Sequence, residues 1–227
     1  SSTGFVLPPL TAQVSELLGL RPSIQRTDIV GMGCHAGLNG MRSAANWVTQ
    51  RANHGKYAVL ACIEVCSAEY VWDPKTMQSR SCLGIAVTNS LFGDGASACV
   101  LTCNPPNPHA GQELASPSPL PTVQRHPKLL GFESYLIPNS LRSMFMDWLD
   151  ETEKYSFLVM PEAPYLIGLC IPRMINKLLE RFDLPIEDVS HWIVHSGGKK
   201  VIDQIVYTLG ITADDVYVAI CVLSWPA

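Results

Sequence analysis

The chain has 227 residues, a formal net charge of -4, and 47% hydrophobic against 16% charged residues. This composition can bury a sizeable core and excludes a disordered chain. The sequence has no basic block and no apolar run of ~18 residues, which excludes a nucleic-acid-binding protein and a transmembrane helix. It starts with Ser-Ser-Thr-Gly, which is neither a signal peptide nor an initiator methionine, so we expect a fragment.

The first half of the chain alternates between helix and strand patterns. Glycine and proline stops, together with the spacing of apolar residues, set the expected boundaries. The run from Tyr57 to Ile63 is almost continuously apolar, which is typical of a strand buried on both faces. The predicted elements are a helix over 10–20, a strand over 28–32, a helix over 36–53, a strand over 57–63, a turn over 91–95 and a strand over 96–102.

The second half repeats this order after a segment of different composition. Residues 104–127 are rich in proline and serine and have no periodicity, which predicts an exposed loop or insertion. The predicted elements that follow are a strand over 129–137, a helix with an apolar face at 171, 174, 175 and 178 that ends near 182, and a strand over 191–196. Gly197-Gly198 then opens a helix that Gly210 stops.

Cys34 lies in Gly31-Met32-Gly33-Cys34, between an apolar strand pattern and an amphipathic helix pattern. This order places the thiol at a helix N-terminus, where unpaired N–H groups and the helix dipole favour the thiolate. Because the thiolate is the reactive form, Cys34 is a candidate nucleophile. The alternative is that Cys34 is a small buried hydrophobic residue like other reduced cysteines.

The other cysteines give no pattern typical of a metal site. The C-x3-C pairs Cys62–Cys66 and Cys99–Cys103 have no ligand-spaced histidines after them. Three of these cysteines sit in or beside apolar runs, as reduced core cysteines do. We therefore expect no zinc site, a reducing compartment and a cytoplasmic protein.

His195 is the histidine best placed to assist a cysteine nucleophile. It ends a predicted strand beside Gly197-Gly198, so its imidazole can reach a cavity, whereas His54, His109 and His126 lie in turns or loops. His195 thus occupies in the second half the position that Cys34 occupies in the first. Two similar units of this kind predict a pseudo-symmetric α/β fold.

Three motifs together resemble the type III polyketide synthases, the chalcone-synthase-like branch of the thiolase fold. They are Gly33-Cys34-His35-Ala36-Gly37, Ser90-Leu91-Phe92-Gly93-Asp94-Gly95-Ala96 and Trp192-Ile193-Val194-His195-Ser196-Gly197-Gly198. Within that family the chain is most similar to the bacterial 3,5-dihydroxyphenylacetyl-CoA synthases. The resemblance implies an incomplete thiolase-like, pseudo-symmetric layered α/β/α/β/α fold. Its expected parts are a nucleophile half (1–103), the Pro/Ser-rich loop (104–127), a partial C-terminal half (128–216) and a divergent tail (217–227).

The resemblance also implies roles for individual residues. Cys34 would carry the acyl chain, and His195 would hold the thiolate and bind the thioester carbonyl while malonyl-CoA is decarboxylated. Substrates would be malonyl-CoA and acyl-CoA, with no metal or redox cofactor, in a homodimer. The remaining roles are gatekeeper aromatics for Phe92 and Phe157, cavity-wall positions for Ser2, Thr3, Cys66 and Glu69, and insertion of Leu7 into the partner's cavity.

The sequence departs from the family pattern at one catalytic position. The family uses an asparagine from a Gly-Asn motif after the histidine, and no asparagine follows His195 here. We therefore expect a truncated or mis-spliced product or an incomplete gene model, with exposed apolar surface and poor solubility or activity. Two alternatives are a ketoacyl-ACP synthase III-like condensing enzyme and a non-catalytic fragment. Only Lys199-Lys200 offers a basic cluster for an acyl carrier protein.

Overall fold

A computed structural model describes residues 7–70, 86, 89–104, 127–150 and 154–224 of the chain. The chain divides into two compact units. The first contains residues 1–63 and 96–131, and the second contains residues 64–95 and 132–227. The helices are α1 (Leu10–Leu17), α2 (Ala36–Val48), α3 (Ala163–Glu180), α4 (Lys199–Leu209) and α5 (Tyr217–Ser224), and the strands are β1 (Tyr57–Glu64), β2 (Gly95–Thr102), β3 (Met144–Leu149) and β4 (Lys154–Val159).

In the first unit, α2 packs against a sheet formed by β1 and β2. Two hydrogen bonds connect the chain just before β1 to the end of β2. Gly55 N–H donates to the Cys103 carbonyl, and Thr102 Oγ1 donates to the Lys56 carbonyl. Gly40 of α2 lies so near the sheet that an added Cβ would come within 2.6 Å of Leu60 Cδ1. A glycine at this position therefore lets the helix approach the strand closely.

The second unit contains the β3–β4 hairpin and three helices. The strands pair antiparallel, with Met144 opposite Val159 and Leu149 opposite Lys154. Helices α3 and α4 pack together at Gly168, where an added Cβ would lie 3.2 Å from Gln204 Cβ. Ile202, Val216 and Ala219 form the buried core where α4 meets α5, with partly buried hydrophobic residues Trp192, Val194, Val206 and Ile211 around them.

Most of the predicted elements are present, with shifted boundaries. The first helix ends at Leu17 rather than Leu20, and α2 ends at Val48 and is followed by a short 3₁₀ helix at Arg51–Asn53. Helix α3 starts at Ala163, eight residues before the predicted apolar face, and Pro164 in its first turn suits a helix start. In the predicted 91–95 turn, residues 89–91 are helical and β2 already begins at Gly95.

Three strand predictions are wrong. Residues 28–32, 129–137 and 191–196 adopt no strand structure. Within the described ranges the two ladders join β1 with β2 and β3 with β4, so these segments belong to neither ladder. The prediction that β1 is buried on both faces is also wrong. Tyr57 and Val59 are 56% and 66% exposed, and burial alternates over the first half of the strand.

Residues 217–224 form a helix that contributes to the core of the second unit. Val216, just before α5, is completely buried, and Ala219 of α5 is 3% exposed. Two residues before this helix, Asp215 closes a turn by accepting hydrogen bonds from Thr212 N–H and Thr212 Oγ1, each at 2.7 Å. The division of the chain at residues 104–127 and 217–227 stays a prediction, and nearly all of the Pro/Ser-rich segment (105–126) lies outside the described residues.

Candidate active site

Cys34 lies in the middle of a 3₁₀ turn, Gly33–His35, that continues directly into α2. Gly31 and Gly33 have φ values of +71° and +57°, a left-handed conformation that glycine adopts without the Cβ penalty. The turn therefore presents the Cys34 side chain at the N-terminal end of a 13-residue helix, and Cys34 is exposed. The alternative that Cys34 is a buried core residue does not fit this geometry.

The residue after Cys34 belongs to a polar network on the first turns of α2. The amide Nδ2 of Asn39 lies 2.8 Å from His35 Nδ1, and Arg42 Nη2 donates to Asn39 Oδ1 at 2.6 Å. Asn39 also donates to the His35 carbonyl at 3.2 Å and is only 7% exposed. Because the amide donates, the His35 nitrogen that receives this bond acts as an acceptor. These hydrogen bonds hold the His35 side chain against the first turns of α2.

His195 lies in the second unit, just before Gly197 and Gly198. Its ring covers the α-carbon of Gly197 so closely that an added Cβ would meet Cδ2 at 3.0 Å and Nε2 at 3.1 Å. A side chain at position 197 would therefore displace the imidazole. Gly198, the residue before α4, has φ +119° and ψ +151°, a conformation restricted almost entirely to glycine.

The environment of His195 favours a neutral imidazole. The residue keeps contact with solvent, but neighbouring protein atoms partly desolvate the ring, and this desolvation lowers the pKa of His195 below its usual value near 6.5. A neutral imidazole can donate from one nitrogen and accept at the other. Cys34 and His195 belong to different compact units, so their pairing stays a prediction.

The two predicted gatekeeper aromatics contact each other within the second unit. The rings of Phe92 and Phe157 meet edge to face, with centroids 5.3 Å apart and an angle of 84° between the planes. Phe157 lies on β4, and Phe92 follows the helical residues 89–91. This arrangement is one that aromatic pairs prefer. The structure thus brings together two residues that are 65 positions apart in the sequence.

The other predicted site residues are distributed as follows. Cys66 and Glu69 begin and end a 3₁₀ helix in the second unit, and Cys66 is half-buried. Leu7 is 92% exposed. Ser2 and Thr3 lie outside the described residues. The cavity-wall and dimer roles of these residues stay predictions.

The described part of the chain shows no group of three or more His, Cys, Asp or Glu side chains that could hold a metal ion. None of its seven cysteines forms a disulfide. No helix within the described ranges is both long and apolar enough to cross a membrane.

Sequence reasoning missed the polar contacts that hold the segment around Phe92. Asp94 accepts hydrogen bonds from Ser67 N–H at 2.8 Å and from Ser67 Oγ at 2.7 Å. The Tyr70 hydroxyl donates to the Phe92 carbonyl. Asp94 was visible as part of a motif, but no spacing rule links it to Ser67, which is 27 positions away.

The amino-acid sequence is similar to members of one family of enzymes. Residues 1–105 match the family of chalcone and stilbene synthases, N-terminal domain. The chain is 40% identical to a 3,5-dihydroxyphenylacetyl-CoA synthase of Streptomyces toyocaensis over 223 residues, which cover 98% of this chain and 52% of that protein. It is 30% identical to the alpha-pyrone synthesis polyketide synthase-like Pks18 of Mycobacterium tuberculosis, over 94% of this chain and 49% of that protein. The chain therefore spans about half the length of these relatives.

Comparison of structures gives the same answer for the fold. The chain superimposes on the crystal structure of PKS-I from the brown alga Ectocarpus siliculosus with a TM-score of 0.78 and 27% sequence identity. The match covers 98% of this chain and 52% of that one. The likeness confirms the predicted thiolase-like α/β fold, although three of the predicted strands form no ladder here.

Proposed function

Since the chain belongs to the chalcone-synthase-like family of type III polyketide synthases, we propose that its protein catalyses decarboxylative Claisen condensation of malonyl-CoA on a Cys-bound acyl chain. The observation that carries the proposal is the exposed Cys34 thiol in a left-handed glycine turn at the start of α2. A helix N-terminus favours the thiolate that such chemistry needs.

The proposed reaction has two stages. The Cys34 thiolate attacks the thioester carbonyl of an acyl-CoA, forms a new thioester and releases the CoA thiolate. Malonyl-CoA then loses CO2, and the resulting enolate attacks the Cys34 thioester, so that a carbon–carbon bond forms and the Cys34 sulfur leaves. The product is a β-ketoacyl-CoA that can repeat the cycle.

His195 has the properties that this cycle requires of a hydrogen-bond donor. Decarboxylation leaves negative charge on the thioester oxygen, which a preorganised N–H can stabilise. The lowered pKa of His195 keeps the imidazole neutral near pH 7, so the ring can donate from one nitrogen without carrying a fixed charge. We assign Cys34 as nucleophile and His195 as the group that binds the thioester carbonyl.

The remaining assignments concern the walls of the site and the assembly. Phe92 and Phe157 form the gate between the CoA tunnel and the cavity, and Leu7, which is 92% exposed, inserts into the cavity of a second copy in a homodimer. Ser2, Thr3, Cys66 and Glu69 line the cavity. The substrates are CoA thioesters, no metal or redox cofactor takes part, and the protein works in the cytoplasm.

The product is assigned by likeness to the dihydroxyphenylacetyl-CoA synthase of S. toyocaensis. We propose 3,5-dihydroxyphenylacetyl-CoA, built from malonyl-CoA alone. The likeness to the M. tuberculosis alpha-pyrone synthesis protein provides a second product class, since the same condensations can end in a pyrone ring. Product mass and ultraviolet spectrum distinguish the two.

The test follows transfer of label from malonyl-CoA and from acyl-CoA to the protein. We expect intact-mass spectrometry to show one acyl group on the wild-type chain, none on Cys34→Ala, and an unchanged amount on the control Cys99→Ala, whose cysteine lies half-buried on β2. Label that persists in Cys34→Ala, or no label on the wild-type chain, would overturn the proposal for this chain.

A further inference from the structure

The turn that carries Phe92 has open space beside both of its glycines. An added Cβ at Gly93 or Gly95 would meet no atom within 4 Å, so no neighbouring group packs against these positions on the side where a side chain would point. The Phe92 ring itself contacts Phe157. The described structure also gives this turn polar contacts, through its backbone and through Asp94.

Three of these contacts come from one short segment of the unit. Asp94 uses both carboxylate oxygens on Ser67, one for the backbone N–H and one for the hydroxyl. The Tyr70 hydroxyl donates to the carbonyl of Phe92. Ser67 lies within the Cys66–Glu69 3₁₀ helix and Tyr70 directly follows it, with Tyr70 N–H donating to the Ser67 carbonyl.

The bonds to the ionised Asp94 are stronger than neutral ones. Hydrogen bonds to a carboxylate are shorter and more stabilising than those between neutral groups. In agreement, the two bonds from Ser67 lower the pKa of Asp94, so the carboxylate stays ionised at neutral pH. Asp94 and Tyr70 thus attach the two ends of the Phe92–Asp94 tripeptide to the same short segment, residues 66–70.

We propose that Ser67, Asp94 and Tyr70 form a clamp that positions Phe92 against Phe157 and thereby sets the size of the acyl chain that the site admits. The inference rests on the proposed function, because it assigns Phe92 and Phe157 to the gate. The three clamp residues are positioning residues, since they act through Phe92 and do not touch the reacting atoms.

The chain contains a matched control for this clamp. Asp215, just before α5, also accepts one hydrogen bond from a backbone N–H and one from a hydroxyl of a single residue, in this case Thr212. Replacing Asp94 or Asp215 by alanine therefore removes the same two kinds of hydrogen bond. Only the clamp at Asp94 carries a gate residue two positions away.

The experiment compares Asp94→Ala, Asp215→Ala and the conservative Ser67→Thr with the wild-type chain. Hydrogen exchange measured on peptides over 64–70 and 89–96 reports the clamp independently of activity. The rates at which octanoyl-CoA and acetyl-CoA acylate Cys34 report the gate. We expect Asp94→Ala to raise exchange in both peptides about tenfold and the octanoyl-to-acetyl ratio about fivefold, because a loosened Phe92 admits a longer chain.

Ser67→Thr keeps both donors and should retain the wild-type ratio, and Asp215→Ala should alter exchange only near α5. A ratio within twofold of wild type in Asp94→Ala, or an equal shift in Asp215→Ala, overturns the selectivity role. Unchanged exchange in Asp94→Ala overturns the clamp itself. A wild-type chain that does not acylate Cys34 overturns the proposed function and the selectivity role with it, while exchange still decides whether the clamp holds the turn.

Discussion

The Cys34 turn and the His195 turn look alike in the sequence, yet the structure holds them in different ways. The Cys34 turn continues into α2, and its neighbour His35 is bound by Asn39, whose amide oxygen accepts from Arg42 of the same helix. The His195 turn depends on contacts with its own glycines and with a distant segment, because the Cβ position of Gly198 lies 3.7 Å from Leu91 Cδ1.

This difference indicates which substitutions should destabilise each turn. Local hydrogen bonds along α2 form whenever the helix forms. The glycines Gly31 and Gly33 before this helix need only the left-handed helical region, which other residues can enter at a modest cost in stability. The His195 turn requires one unusual backbone conformation, at Gly198, and close contact between the imidazole and Gly197. Substitutions at glycines should therefore cost more stability at the second turn than at the first.

The largest expected effect is on Gly198. Gly198→Ala forces an L-residue into φ +119° and ψ +151°, which we expect to lower the free energy of unfolding by about 2 kcal/mol. Gly33→Ala, at φ +57°, enters only the left-handed helical region and should cost about 1 kcal/mol. Neither alanine meets an atom closer than 3.7 Å, so both effects report backbone strain. Urea denaturation measures them, and equal losses would contradict the comparison.

The second prediction concerns the local network beside Cys34. Asn39→Ala removes the buried amide that links His35 to Arg42, and we expect a loss of about 1 kcal/mol because the partners can return to water. Asn46→Ala is the matched control, since Asn46 is exposed on the same helix and alanine is the better helix former. The control should change stability by less than about 0.5 kcal/mol. If both variants lose equally in the same denaturation assay, the network contributes nothing specific.

The sequence predicted the parts of the molecule that local pattern decides. The start of α2 at Ala36 and the stop of α4 at Gly210 were predictable, because glycine turns and apolar periodicity act over a few residues. Residues 191–196 were not, since an apolar run does not reveal whether a neighbouring strand is available. The family resemblance implied that Phe92 and Phe157 are both gate residues, but nothing in the sequence predicted that their rings contact each other. The Ser67–Asp94 contact has no local signal, because 27 residues separate its partners.

The smallest effect is the pH dependence of the His195 turn. Desolvation lowers the pKa of His195, so the unfolded chain binds a proton more readily than the folded one. The contribution of the neutral ring to stability is therefore present above the unfolded value near 6.5 and declines as the pH falls from there through the folded pKa. Asp94, Glu133 and Asp215 have lowered pKa values and lose their contributions only below about pH 4.5, outside this window.

The measurement is the difference in unfolding free energy between the wild-type chain and His195→Gln at several pH values from 7.5 to 5. Glutamine keeps a donor and an acceptor but does not titrate, and the other histidines cancel because both proteins carry them. We expect the wild-type chain to lose more stability than the variant between pH 6.5 and 5. Parallel curves for the wild-type chain and His195→Gln would mean that the His195 turn does not desolvate its imidazole, and this difference between the two turns would fail.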